Sequence, residues 1–253
     1  DKDDSTQFSA FAKVNSSKCE PVVMDEQFNS AVTDIFRNEY LSPRSPYTTL
    51  QIPKQGIGEW CHPLHTVDID DSGLRSSVQK GVLNTKLGVP FRTPAEGPNI
   101  AFTSLWDNYP DSLTVSLKGK ASRAYLLMAG STNHMQCHID NGLIRVYYKD
   151  GTCDKMALRN PDNWAPIEHI FFEDGLAFNR HAPALYRLRL KTGEISNNFG
   201  EELGFPGASR ELDGGAAILL EMPLNPDKKL SHLVLETLSN DVVIGLMGIT
   251  LQR

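Results

Sequence analysis

The chain has 253 residues, 40% of them apolar and 22% charged, enough for one large β domain or two small ones. Its net charge of −6 argues against a nucleic-acid partner, whose phosphates call for a basic face. No apolar run reaches the roughly 18–20 residues of a membrane-spanning helix, so no membrane span is expected.

The chain opens DKDDSTQFSAF, without Met and without a signal peptide, as a trimmed secreted protein or a piece of a longer one would. Residues 1–20 read as a polar, flexible tether and residues 64–253 as one β-sandwich domain, with residues 21–63 packed on that sandwich. Phe28, Val32, Ile35 and Phe36 recur at helical spacing, which suggests a short helix within Gln27–Tyr40.

The stretch CHPLH brings Cys61, His62 and His65 together, but Pro63 holds His62 extended, and a structural role outweighs a metal site there. In DIDDSG, Asp68, Asp70, Ser72 and Gly73 match the first half of a calcium loop. The twelfth position is Gln79 rather than a bidentate Glu, so the EF-hand reading fails. A looser calcium site at Asp68, Asp70 and Ser72 competes with a plain acidic turn, and no other cofactor is expected.

Short alternating or β-branched runs fill the rest. SLTVSLKG sets Leu113, Val115 and Leu117 on one face and Thr114, Ser116 and Lys118 on the other, the pattern of a half-buried strand. IAFTSLW, ASRAYLLMAG, ALYRLRLKTG, GAAILLEMPL, LSHLVLETL and VVIGLMGITL read as further strands, with turns at Lys118–Lys120, Lys191–Gly193 and 225–229. Many short strands and little helix define an all-β antiparallel sandwich.

STNHMQCHIDNG gathers His134, Cys137 and His138, residue types that bind zinc. Asn141-Gly142 and Asp150-Gly151, however, are hairpin signals, and they predict a three-stranded meander over 134–158. On a strand, His134, Gln136 and His138 face one way and Met135, Cys137 and Ile139 the other, which splits the trio. Two-residue turns would pair Cys137 with Val146, His138 with Arg145 and Cys153 with Tyr148. Cys137 and Cys153 would then flank one strand about 9.5 Å apart, beyond the ~7 Å reach of a disulfide. Both are expected as free thiols, one of them in the core. The core face would carry Ile144, Val146 and Tyr148. The polar face would carry Gln136, His138, Arg145, Tyr147, Lys149 and Asp154, either a solvated sheet or a platform for hydroxyl-rich ligands.

The tryptophans lie in loop-like contexts. Trp106, Asp107 and Tyr109 in SLWDNYP, and Trp164 in PDNWAPIEH, suit sugar recognition, with rings stacking on a pyranose and carboxylates taking its hydroxyls. The alternative is that each Trp plugs the sandwich beneath its loop. Hydrolysis needs two carboxylates roughly 5–10 Å apart. Glu59, Asp107, Glu168 and Asp174 are the candidates nearest aromatics, and nothing in their spacing pairs two of them. GxSxG, Walker and dinucleotide motifs are missing.

The phrases SPYTTLQIPKQGIGEW, LGVPFRTP, NIAFTSLWDNYPDSLTVSLKGKASRAYLLMAGSTNHMQ, NGLIRVYYKDGT, NPDNWAPIEH and LSNDVVIGLMGITL resemble a family of secreted proteins and domains of unknown function from gut Bacteroidetes. These occur in or beside glycoside hydrolases of the α-rhamnosidase-like kind. The middle of the chain is similar to galactose-binding-like jelly rolls, common accessory modules of polysaccharide-degrading enzymes. The resemblance implies export to the periplasm or cell surface and a carbohydrate setting, and it carries no catalytic residues. The expectation is therefore a non-catalytic module that binds carbohydrate or serves a neighbouring glycoside hydrolase. It would use Trp106, Asp107, Tyr109 and Trp164, or else Gln136, His138, Arg145 and Tyr147. A glycoside hydrolase and a packing domain without a sugar ligand are the alternatives.

Overall fold

The computed structural model describes residues 13–37, 67–132, 137–170, 179–205, 210–240 and 242–253. In chain order the strands are β1 (Cys19–Pro21), β2 (Val78–Gln79), β3 (Val82–Asn84), β4 (Pro90–Arg92), β5 (Ala101–Ser104), β6 (Ser112–Ser116) and β7 (Arg123–Thr132). They continue with β8 (Asp140–Tyr148), β9 (Cys153–Arg159), β10 (Tyr186–Arg189), β11 (Ile195–Ser196), β12 (Ala216–Pro223), β13 (Leu230–Thr237) and β14 (Val242–Gln252). Two short α-helices, α1 (Ser72–Ser76) and α2 (Phe199–Glu202), and two 3-10 turns, Ser16–Lys18 and Val32–Asp34, complete the described elements. The fold is an all-β antiparallel sandwich.

The largest sheet runs β1-β14-β7-β12-β10-β11, with β5 also paired to β14; the facing sheet runs β6-β13-β8-β9, and a small third sheet runs β2-β3-β4. Between the first two lies a core that includes Leu126, Met128, Ile144, Val146, Ile218, Leu235 and Ile244. The opposite face of the largest sheet is also covered. Tyr125, Leu127, Val243 and Met247 pack there against Val32, Ile35, Leu74 of α1 and Phe91 of β4. A sheet buried on both faces needs apolar residues at every position rather than at alternate ones. That is why β14 reads VVIGLMGITL and is buried from Val242 to Leu251, whereas β6, with one wet face, alternates.

The chain around 27–40 does not wind into an α-helix where it is described. Ser30 bridges Ile100, and only a 3-10 turn, Val32–Asp34, comes after it. The reason lies in the packing. Phe28 serves the inter-sheet core while Val32, Ile35 and Phe36 serve the second core, so the four never share one face. The sheet also begins earlier than a tether through residue 20 would allow. Cys19 pairs with Gln252 and Glu20 with Leu251, and the Arg253 guanidinium reaches Glu20.

The meander is the larger correction. Asn141 and Gly142 are not a turn but the start of β8, whose neighbours are β9 and β13. Thr132 Oγ donates to Asn141 Oδ1 (2.6 Å), and the Asn141 carbonyl accepts from Leu238 N–H (2.9 Å), so this buried Asn fastens three segments together. Gly142 sits at a close approach: a β-carbon there would meet the Glu236 carbonyl at 3.0 Å and would have to displace Ile244 Cδ1 of the facing sheet. Gly142→Ala is expected to cost about 1–3 kcal/mol through overpacking, measured as a drop in urea midpoint.

The second hairpin forms at the expected place with a longer loop. Tyr148 N–H donates to the Thr152 carbonyl (2.9 Å) and Gly151 takes φ 86, a three-residue loop closed by a glycine bulge. Tyr147, not Tyr148, therefore pairs with Cys153, and Asp154 faces inward beside Tyr148, whose hydroxyl it accepts, rather than outward. Cys153 is a free thiol, and Cys137 and Cys153 are both half-buried, so neither is a core residue. No described helix is long and apolar enough to cross a membrane.

Candidate functional site

The connections β7–β8 and β9–β10, which meet at one end of the sandwich, hold the unusual chemistry. Cys137 bridges Asn160, and the His138 N–H donates to the Asn160 carbonyl at 2.8 Å. These contacts fix His138 at φ 56, left-handed backbone that residues other than glycine adopt only when their surroundings impose it. After β9 the chain turns through Asn160–Trp164. Asn163 stiffens this turn by accepting the Arg159 N–H (2.8 Å) and donating to the Ala157 carbonyl (2.8 Å). Asp162, 4% exposed, thereby points at both neighbouring segments. One oxygen accepts the His181 N–H (2.5 Å) and the other lies 3.6 Å from His138 Nδ1. The His138 and His181 rings stack with centroids 4.4 Å apart.

A cleft of about 330 Å³ opens beside this cluster, lined in part by Pro161, Arg180, Arg187, Asn197, Phe199 and Arg210. Behind it Arg187 is buried. Its guanidinium donates to the carbonyls of Pro166 (2.9 Å), His169 (3.2 Å), Ala216 (3.0 Å) and Ala217 (3.3 Å). Burial brings its pKa down to about 10. Glu168 is buried close by, with Oε2 lacking a hydrogen-bond partner, and burial pushes its carboxyl up to about 7 against the opposing pull of Arg187. Both groups are shifted toward their neutral forms, so desolvation outweighs their mutual attraction.

Comparison of the chain with protein-family models, curated proteins and solved structures finds no match. The site must therefore be read from its own residues.

The residues picked from sequence are dispersed. Trp164 is 0% exposed in the inter-sheet core. Trp106 is 7% exposed, with its indole N–H donating to the Asn240 carbonyl (3.1 Å). Tyr109 is 7% exposed and leans on Phe102, centroids 5.1 Å apart. None of the three presents a ring face for stacking, so the expected aromatic platform is a set of core plugs. Asp107 is exposed, while Tyr109 and Asn108 border an open hollow with Ser30, Asp34 and Arg75.

Arg145 and Tyr147 do share the outer face of β8, but Arg145 pairs with Glu236 (2.6 Å) and Tyr147 stacks on His232 (4.7 Å). His138 belongs to the loop cluster instead. Asp70 Oδ1 accepts the Ser72 N–H (2.9 Å) at the start of α1, chiefly a hydrogen-bonding role that holds its carboxyl below the usual range, and Asp68 is exposed. Asp70 thus serves the turn into α1. Glu59, Cys61, His62, His65, His134, Gln136 and Asp174 lie outside the described residues. The sequence reading missed Asp162 and His181, which come from loops 24 and 43 residues beyond His138 and carry no local signature.

Proposed function

We propose that the chain is a non-catalytic β-sandwich module that binds carbohydrate in the cleft beside α2, as part of a secreted bacterial glycan-degrading system, with a galactose-binding-like jelly roll as its architecture. The observation that carries this reading is the lining of the cleft. Arg180, Ser196, Asn197, Asn198, Glu201 and Arg210 are among the residues lining a cleft of about 330 Å³, where Asn198 already donates to the Glu201 carboxylate (2.9 Å) and orients it. That is the lower end of the size range of small-molecule sites. Donors and acceptors of this kind match a ring of hydroxyls, and the resemblance to secreted proteins beside glycoside hydrolases points the same way.

The exposed large apolar residues described are Val23, Ile139, Leu203 and Leu238, each from a different segment. Single residues of that sort are ordinary on protein surfaces and give a packing-domain reading little support.

The test is a broad glycan array followed by calorimetry with Asn197→Ala and Arg180→Ala. Binding to one glycan class, weakened about tenfold or more by either change through lost hydrogen bonds, is expected. Silence across the array, or binding unaffected by both variants, would remove the cleft as a sugar site. A second reading, a glycoside hydrolase, draws on Glu168, since a carboxyl raised to about 7 is what a general acid needs. Release of reducing ends from the bound glycan, abolished by Glu168→Gln, would favour it.

A further inference from the structure

We propose that His138, Asp162 and His181 form a binding site for one divalent transition-metal ion of the zinc class, at the rim of the cleft. The site stands apart from the carbohydrate reading and holds whether or not a sugar binds. Each of the three residues offers one donor atom, and the three atoms lie within 4.8 Å of one another. Two imidazole nitrogens and one carboxylate oxygen are the donor set of three-ligand zinc sites, which leave further positions open. Calcium and magnesium favour all-oxygen shells and fit it poorly.

Three features favour a metal over a plain His–Asp contact. At 3.6 Å, His138 Nδ1 and Asp162 Oδ2 are too far apart for a closed hydrogen bond. The Asp162 carboxylate is nevertheless taken out of water, a cost that a bound cation offsets. The His138 and His181 rings stack at 4.4 Å and 19°, which holds the two imidazoles side by side at the Asp162 carboxylate. His138 Nε2 is itself buried without a hydrogen-bond partner.

The geometry is close to that of a bound state. Bonds of about 2.1 Å in a tetrahedron put donor atoms about 3.4 Å apart. The closing movement falls on His181, which is exposed and lies in chain without regular structure, while backbone hydrogen bonds hold the segments that carry His138 and Asp162. Pro161 and Arg180, which line the cleft, adjoin Asp162 and His181 in sequence. The open coordination positions therefore lie near the cleft mouth.

The full chain, stripped of metal with a chelator, would be titrated with Zn²⁺ by calorimetry and with Co²⁺ by visible absorption, with Ca²⁺ in a parallel arm. Saturable binding of one equivalent of Zn²⁺ and Co²⁺ is expected, weakened by about tenfold or more in His181→Ala and in His138→Ala and unchanged in His232→Ala. His181 is exposed, so its variant keeps the fold, as far-UV circular dichroism would verify, and decides the matter even if His138→Ala fails to fold. Absence of one-equivalent binding in the folded wild type, or binding undiminished in His181→Ala, would overturn the site. Calcium binding that His181→Ala abolishes would overturn its assignment to a transition metal.

Discussion

Trp164→Ala is expected to lower the unfolding free energy by about 3–5 kcal/mol. Trp164 is among the largest fully buried side chains and belongs to the inter-sheet core with Met128, Leu158 and Ile244. Its ring also fills the space left by a glycine. A β-carbon on Gly130 would come within 2.7 Å of Trp164 Cζ2 and would collide with the Val243 carbonyl. The indole is therefore clasped between two sheets that cannot collapse onto the hole left by truncation, and incomplete relaxation is what makes a cavity costly. Trp164→Phe leaves a smaller void and should cost less than half as much. Urea midpoints for the two variants measure this directly. If Trp164→Ala cost under about 1 kcal/mol, comparable to a surface substitution, the ring would have to be free of the core and the stacking role expected from its polar neighbours would return.

The same residue shows which parts of the structure were legible in the sequence. Trp164 lies in Asn-Pro-Asp-Asn-Trp-Ala-Pro, a stretch whose composition announces a loop correctly. Where its ring goes is set by Gly130, far earlier in the chain, and by the facing sheet, neither of which leaves a mark near position 164. Strands were legible because their signal is local. The alternation in β6 and the unbroken apolar run of β14 each arise from how many faces the strand buries. Asn141-Gly142 shows local chemistry losing to tertiary demand, since the pair makes a good turn in isolation but sits under Ile244 in a strand. The cluster of His138, Asp162 and His181 was beyond sequence reasoning for a related reason. Two connections deliver the three residues, His138 before β8 and Asp162 and His181 from separate parts of the stretch between β9 and β10, so no periodicity or spacing records the meeting, and the nearby His134-Cys137-His138 pattern points to the wrong partners.

Glu168 should make the stability of the fold fall between about pH 4.5 and 7, and Glu168→Gln should remove that fall. Burial raises the carboxyl from 4.5 to about 7 in the native state. Below pH 4.5 both native and unfolded chains hold the proton and the group contributes no difference. Between 4.5 and 7 the unfolded chain releases its proton while the native chain keeps it. The native state then binds more protons than the unfolded one, and stability declines as pH rises. Above 7 both are ionised and the full penalty, about 3 kcal/mol at 1.36 kcal/mol per pKa unit, is in place. Arg187 does not cancel it, because its guanidinium is already bonded to four backbone carbonyls and stays charged across this range. Glutamine keeps the shape and loses the ionisation, so the difference in unfolding free energy between variant and wild type should move by about 3 kcal/mol in the variant's favour from pH 4.5 to 8. Using the difference removes titrating groups remote from Glu168; His169, whose Nδ1 lies 4.0 Å from Glu168 Oε1, is the neighbour it does not remove, so His169→Gln is the background in which to repeat the comparison. Parallel pH profiles for the two proteins would mean that Glu168 reaches water or a cation on ionising, which would also end its candidacy as a general acid. A profile that separates in this way leaves a protonated carboxyl near neutral pH beside the buried Arg187, the state that the hydrolase reading of Glu168 requires.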